Sequence, residues 1–307
     1  MRSARIIVGL GEILWDIYAD DKYLGGAPAN VAVHSQRLGA HGVVASAVGL
    51  DDLGDEIIET LEEQGLDAST IHRCSNRSTG TVGVKLNEAG VPDFVCSEDT
   101  AFDYLRWNEG LERLAGEADA VIVGTLAQRN RISRQTIQKF LEKAAGTVVF
   151  DVNFRGWNEA TSRVIRETLV HTDILKLNEN ELYPLRESFQ HEKKGMIPFL
   201  DWLVREHRLK IVALSLGAKG CFLTDGKVRV LSPGVRVDAV DTTGCGDGFV
   251  AGLIVEYLEN ASLEETAEFA NYLGAFLATM KGAVPRYTLQ DLDEFRAGHR
   301  DRVDVCF

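Results

Sequence analysis

Short unbroken apolar runs recur along this chain, separated by amphipathic stretches, and that alternation limits the fold more than any other feature. The runs lie at 5–8, 43–48, 120–123, 147–152, 174–177 and 211–216. Between them stand 55–64, 131–144 and 163–170, whose apolar residues return at helical spacing. A strand that is apolar without alternation is buried on both faces, and helices must supply the cover. The pattern therefore predicts an α/β fold with a central, mostly parallel sheet flanked by helices. A single α/β domain over 1–307 accommodates every run, and a chain of this length has room for an ample core.

One region breaks the rhythm. Over 81–87, Val82, Val84 and Leu86 fall on one face, and Thr81, Lys85 and Asn87 on the other. A turn at Glu88-Ala89-Gly90 and a run at 94–96 complete a half-exposed antiparallel hairpin, with which 14–24 can pair. An edge hairpin and a small β lid over a site both fit. From Gly244 onward the chain reads as helical: Phe249, Val250, Leu253, Ile254, Tyr257 and Leu258 recur at helical spacing. Further helices are expected over about 263–280 and near 289–296.

A formal net charge of −13 argues against nucleic acid or an anionic membrane as partner, since both select a basic footprint. The apolar start is too short to span a bilayer, and no segment reaches about 18 unbroken apolar residues. No signal peptide is read there. Five scattered cysteines, Cys74, Cys96, Cys221, Cys245 and Cys306, contain no C-x-x-C, so neither a disulfide framework nor a zinc site is expected. A reducing, cytoplasmic setting fits.

Ligands of open parallel sheets bind beyond the carboxyl ends of the strands. The residues that follow the runs are Asp151, Asn153 and Arg155, then Asn178 and Glu181, then Gly217, Lys219 and Gly220. They should line one rim. The most telling motif is Asp241-Thr242-Thr243-Gly244-Cys245-Gly246-Asp247-Gly248-Phe249. Its glycines allow tight turning and close backbone approach, and the helix that starts there turns free amides and a positive dipole end outward. This makes an anion hole, with Asp247 beside it to accept a proton. A helix start merely stabilised by Asp247 fits the motif alone equally well.

Asn178-x-x-Glu181 reads as a capping box, or as a pair that orients magnesium through its waters. Gly25-Gly26-Ala27-Pro28-Ala29-Asn30 reads as a loop-to-helix entry, or as a wall where Gly26 offers its amide and Asn30 reaches a hydroxyl. Asp16 can accept from sugar hydroxyls or face solvent. Gly9-Leu10-Gly11 opens like a dinucleotide fingerprint, but Leu14 stands where its third glycine belongs; no Walker-type phosphate loop occurs.

These residues resemble the ribokinase-like (PfkB) carbohydrate kinases along essentially the whole chain. GGAPANVAVHSQRLG at 25–39 and DTTGCGDGF at 241–249 carry the resemblance. DVNFR at 151–155, KLNENE at 176–181, SLGAKG at 215–220, Asn271 and MKGAVP at 280–285 follow in the family's order. The resemblance implies a ribokinase-like fold whose small β lid comes from about 12–24 and 79–101. It implies Asp247 as catalytic base and Gly244, Cys245, Gly246 and Asp247 as the anion hole. Asn178, Ser215, Gly217, Lys219, Gly220, Gly246 and Asn271 would hold the nucleotide, and Glu181 magnesium through water. Asp241 and Thr243, with carbonyls near Leu277, Met280 and Gly282, would hold a monovalent cation such as potassium. Asp16, Gly26 and Asn30 would contact the sugar. ATP and magnesium are thus the implied co-substrate and cofactor, and the lid an implied dimer interface.

The likeness is greatest to fructokinases, through GEILWD, LGGAPAN and Asp-x-Asn-x-Arg, with Arg155 on sugar or phosphate. Cys245 replaces a common Ala, and Val152 a common Pro. Leu14 and Ala27 stand where ribokinases proper carry Asn and Lys, which argues against ribose. The implied reaction is phosphoryl transfer from ATP to a primary hydroxyl, with D-fructose the expected acceptor. Alternatives are 2-keto-3-deoxygluconate, another sugar or a nucleoside, and more remotely a non-catalytic sensor or a nicotinamide-dependent dehydrogenase.

Overall fold

A computed structural model describes residues 4–18, 21–86, 92–191 and 195–304. In chain order the strands and helices are β1 (Ile6–Leu10), β2 (Leu14–Ile17), β3 (Lys22–Gly25), α1 (Ala27–Arg37), β4 (His41–Gly49), α2 (Asp52–Glu63), β5 (Ile71–Cys74), β6 (Gly80–Leu86) and β7 (Pro92–Cys96). Then come α3 (Glu109–Glu117), β8 (Ala120–Val123), α4 (Arg131–Lys143), β9 (Thr147–Asp151), α5 (Glu159–Leu169), β10 (Ile174–Asn178), α6 (Glu179–Ser188) and α7 (Met196–His207). The last part holds β11 (Ile211–Ser215), β12 (Gly220–Thr224), β13 (Arg229–Pro233), α8 (Cys245–Leu258), α9 (Leu263–Ala278) and α10 (Leu289–Gly298).

Nine strands form one sheet in the order β13-β12-β11-β10-β9-β8-β1-β4-β5. It is parallel from β5 through β11 and antiparallel at β12 and β13. The six apolar runs are its central strands, and alternate residues of each run enter different cores. Val8, Val121, Val148, Phe150, Leu175 and Leu177 pack with Phe140 of α4, Ile165 of α5 and Leu203 of α7. Ile7, Ile122, Val149 and Ile174 pack on the other face with Val31 of α1, Val250 and Leu253 of α8, and Ala270 of α9. Coverage on both faces is why these strands carry no polar alternation.

A second sheet, ordered β3-β2-β6-β7, is built from the two segments expected to form a lid. The expected hairpin is present as antiparallel β6 and β7, and its turn at Glu88-Ala89-Gly90 lies outside the described residues. Segment 14–24 does pair with it, through β2, which runs parallel to β6 and antiparallel to β3. Among the described residues no helix is long and apolar enough to cross a membrane.

Gly9 has a local reason unrelated to dinucleotides. A Cβ there would stand 2.0 Å from the carbonyl oxygen of Pro28, so β1 and the first turn of α1 meet backbone to backbone. That contact sets the N-terminus of α1 over the strand ends.

Candidate active site

One cavity of about 900 Å³ opens where the two sheets meet. Its walls include Asp16, Gly26, Asn30, Arg155, Asn178, Ser215, Thr243, Gly244, Gly246 and Asp247. These come from β2, the start of α1, the loop after β9, the ends of β10 and β11, and the start of α8. Residues separated widely in sequence thus share one rim, as expected at the carboxyl ends of parallel strands.

The loop before α8 is fixed by its own acid. Asp241 Oδ1 accepts from the amide (2.9 Å) and hydroxyl (2.7 Å) of Thr243. Its Oδ2 accepts from the Gly282 amide at 2.9 Å. Gly244 then caps α8 with φ 74°, and a Cβ there would lie 2.4 Å from the Ala283 carbonyl oxygen, so only glycine fits. The amides that follow, at Gly246 and Asp247, have no helical acceptor behind them and face the cavity end of the helix.

Asp247 sits in that first turn, and Asn30 Nδ2 donates to its Oδ2 at 2.8 Å. The other side-chain oxygen of Asn30, Oδ1, is buried with no partner among the described residues. Burial, together with the nearby Asp151 charge, pushes Asp247 up to about 7, against the pull of Asn30, Lys176 and Arg155. A carboxylate at that value accepts a proton near neutral pH far more readily than an ordinary aspartate.

Below Gly246 lies Lys176 of β10, its Nζ 3.5 Å from the position a Gly246 Cβ would take. Lys176 Nζ is 3.0 Å from both carboxylate oxygens of Asp151, and both side chains are about 95% buried. Burial works against the ammonium charge, but Asp151, Glu181 and Asp247 together hold Lys176 above its ordinary value. The site therefore has a buried ion pair, Lys176 with Asp151, directly under its helix N-terminus.

In the same cavity, burial raises Asp16 to about 6, while Arg155 draws it down. Arg155 is exposed and acts on Glu12, Asp16, Asp151, Glu181 and Asp247 alike. The Asn178–Glu181 pair forms a complete capping box at the start of α6: the Asn178 amide donates to Glu181 Oε2 at 2.8 Å, and Asn178 Oδ1 accepts from Asn180 and Glu181. Glu181 is buried, which raises it to about 7, helped by Asp151. Cap and pocket are thus compatible: Asn178 caps α6 and lines the cavity.

Other candidates stand away from the cavity walls. Asn271 is tied to Ser232 Oγ and the Pro233 carbonyl, joining α9 to β13. Gly217 and Lys219 form a single turn after β11, and Lys219 pairs with Glu179 at 3.0 Å. Gly220 packs against β13, where a Cβ would meet the Ser232 carbonyl at 2.1 Å. Leu277, Met280 and Gly282 lie at the end of α9 beside Asp241; the Leu277 carbonyl accepts from Met280, and Ala278's from Val240 and Asp241. Among the described residues no group of three or more His, Cys, Asp or Glu forms a metal cage. The donors present are hard oxygens. Those of Glu181 and Asn178 suit a magnesium ion that keeps most of its water, and the carboxylate and carbonyls around Asp241 suit an alkali cation.

Residues 19–288 match the pfkB family carbohydrate kinases. The chain belongs to the pfkB family. A protein of Pyrococcus horikoshii described as an uncharacterized sugar kinase is 32% identical over 91% of each chain. The crystal structure of that protein in complex with ATP aligns with TM-score 0.77, covering 94% of this chain and 99% of that one. Fructokinase-2 of Zea mays is 27% identical, over 94% of this chain and 93% of that protein. The fructokinase of Vibrio cholerae O395, solved with fructose, ADP and calcium, is 25% identical with TM-score 0.79, over 95% and 98% of the chains. As a member of the pfkB family the chain is a carbohydrate kinase, and the dehydrogenase alternative is set aside.

Lys176 and Glu12 are among the pocket residues of this pfkB family member that sequence reasoning does not single out. Lys176 lies inside the apolar run at 174–177, and a lysine there is itself a signal that the charge has a buried partner. Glu12 is 3% exposed and lines the cavity, with Oε2 accepting from the Ala127 amide at 3.2 Å. Burial raises its pKa. A charged residue two positions after β1 was the available clue.

Proposed function

We propose that this chain transfers the γ-phosphoryl group of ATP to a primary hydroxyl of a sugar, with D-fructose giving fructose 6-phosphate. The observation that carries the reading is Asp247: a carboxylate raised to about 7, in the first turn of α8, across one cavity from Asp16. Asp247 takes the proton of the attacking hydroxyl. The free amides of Gly246 and Asp247, within the anion hole at 244–247, hold the transferring group, with the Lys176–Asp151 pair beneath them. Asp16, the Gly26 amide and the unpartnered Asn30 Oδ1 bind the other hydroxyls, and Arg155 spans sugar and phosphate. Asn178 and Ser215 meet the nucleotide's phosphates, with Gly217, Lys219, Gly220 and Asn271 framing its outer part. Magnesium, held near Glu181 and Asn178, supplies charge neutralisation at the phosphates when bound. Asp241 and Thr243, with the carbonyls near Leu277, Met280 and Gly282, would hold a potassium ion beside the loop before α8. The names of the Zea mays and Vibrio cholerae relatives support fructose, and the ATP complex of the Pyrococcus horikoshii relative supports the donor.

The four-stranded sheet acts as the lid of a single domain. It also offers a second copy a docking face, where Ile17 is 36% exposed. A second acceptor reading, a sugar acid such as 2-keto-3-deoxygluconate, draws on Arg129, Arg134 and Arg155, which all line the cavity. Assay of an acceptor panel with ATP and magnesium decides between them: turnover on fructose and none on sugar acids is expected. No activity on fructose would sink that choice. Asp247→Ala should lower kcat at least about a hundredfold in a folded protein. Equal rates in potassium and in a bulky organic cation would remove the monovalent site.

A further inference from the structure

His34 stands one turn after Asn30 on α1 and is fully buried. Its Nε2 is 2.9 Å from the Ala283 carbonyl oxygen, and its Nδ1 is 3.0 Å from the Tyr287 hydroxyl. A carbonyl only accepts, so Nε2 carries the proton; Nδ1 is then the acceptor, and the Tyr287 hydroxyl donates to it. The Ala283 oxygen so held is the atom on which Gly244 rests. Arg37, one turn further along α1, donates to the Val284 (3.1 Å) and Pro285 carbonyls, and Asp241 holds the Gly282 amide. Helix α1 therefore grips both sides of the same centre. Through Asn30 it holds Asp247, and through His34 it holds the strand of backbone that sets Gly244.

We propose that His34 is a positioning residue for phosphoryl transfer: its Nε2–H fixes the Ala283 carbonyl, and thereby the place of the α8 amides relative to Asp247. Burial keeps the ring neutral, with its pKa pushed down to about 3, so this donor persists across the working pH range. The ring touches neither substrate, and its effect falls on the transition state. Misplacing transition-state donors by a fraction of an ångström weakens the rate more than it weakens substrate binding.

The inference rests on the reading of Asp247 and the α8 amides as the transfer site. Full-length His34→Leu, His34→Ala and His34→Gln enzymes are compared for kcat per folded molecule, for KM of both substrates and for affinity for ADP with aluminium fluoride. In Leu and Ala, kcat should fall roughly tenfold or more with both KM values within about threefold, and affinity for the transition-state mimic should fall in parallel. Gln, whose side-chain N–H can reach Ala283, should recover most of that loss. Unchanged kcat in the folded Leu or Ala enzyme, or Gln no better than they are, overturns the proposal. So does failure of both Leu and Ala to fold, which would make His34 a folding residue. Asp247→Ala at wild-type rate would instead sink the site reading, whereas an inactive Asp247→Ala beside an unimpaired His34→Leu sinks this inference alone.

Discussion

Asn30 and Asp247 are 217 residues apart in sequence and 2.8 Å apart in space, joined by a hydrogen bond from the amide to the carboxylate. The bond stabilises the ionised form, whereas burial opposes it. With Asp247 at about 7 and needed as the anion, kcat/KM should fall about tenfold per pH unit below that value and level off above it. Asn30→Ala removes a stabilising donor, so the limb should move to higher pH. Measured pH–rate profiles that coincide would refute the coupling.

Lys176 and Asp151 form a buried pair whose partners need each other. Lys176→Met leaves the Asp151 carboxylate uncompensated and should cost about 3–5 kcal/mol of stability. It should also move the limb of Asp247 upward, because Lys176 draws that group down. Adding Asp151→Leu should restore the melting temperature but not the turnover. Denaturant unfolding and kcat, measured on all three variants, separate the two effects. A double variant as active as the wild type would show that the pair is structural only.

A methyl group at position 25 would land 2.5 Å from Asp16 Oδ2 and 2.9 Å from a Leu14 methyl. The cheapest response is rotation of the Asp16 carboxylate away from its place in the cavity. Gly25→Ala should therefore raise KM for the sugar about tenfold or more, the worth of one hydrogen bond to a charged group, and leave KM for ATP nearly unchanged. Equal changes in both constants would mean that Asp16 does not hold the acceptor.

Burial, with Asp241 and Asp247 nearby, pushes the Cys245 thiol up to about 12. The reactive thiolate is then scarce at neutral pH despite the helix N-terminus. Iodoacetamide at pH 7.5 should leave activity intact over a time that alkylates a free model thiol. Rapid inactivation, with the label mapped to Cys245, would contradict this.

The apolar runs announced the central strands because burial on both faces leaves no polar position, and every run lies in the sheet. The helices over Cys245–Leu258, Leu263–Ala278 and Leu289–Gly298 were legible from spacing, with the middle one ending two residues sooner than expected. Strands β12 and β13 were not read as strands: they flank a turn and run antiparallel at one edge. The contacts of Asn271 with Ser232 and Pro233 were not legible either, because they depend on where α9 crosses β13.

The sequence by itself determined the layered α/β fold, the glycine-rich start of α8 and the family. Those follow from local periodicity and from motifs that keep their order along the chain. Only the tertiary structure decided which polar groups act on one another. Asp247 is an ordinary aspartate until the sheet buries it, Asn30 reaches it and Lys176 comes to lie beneath the same helix start. The physical reason is that a pKa and an anion hole depend on distance and desolvation, which no spacing along the chain encodes.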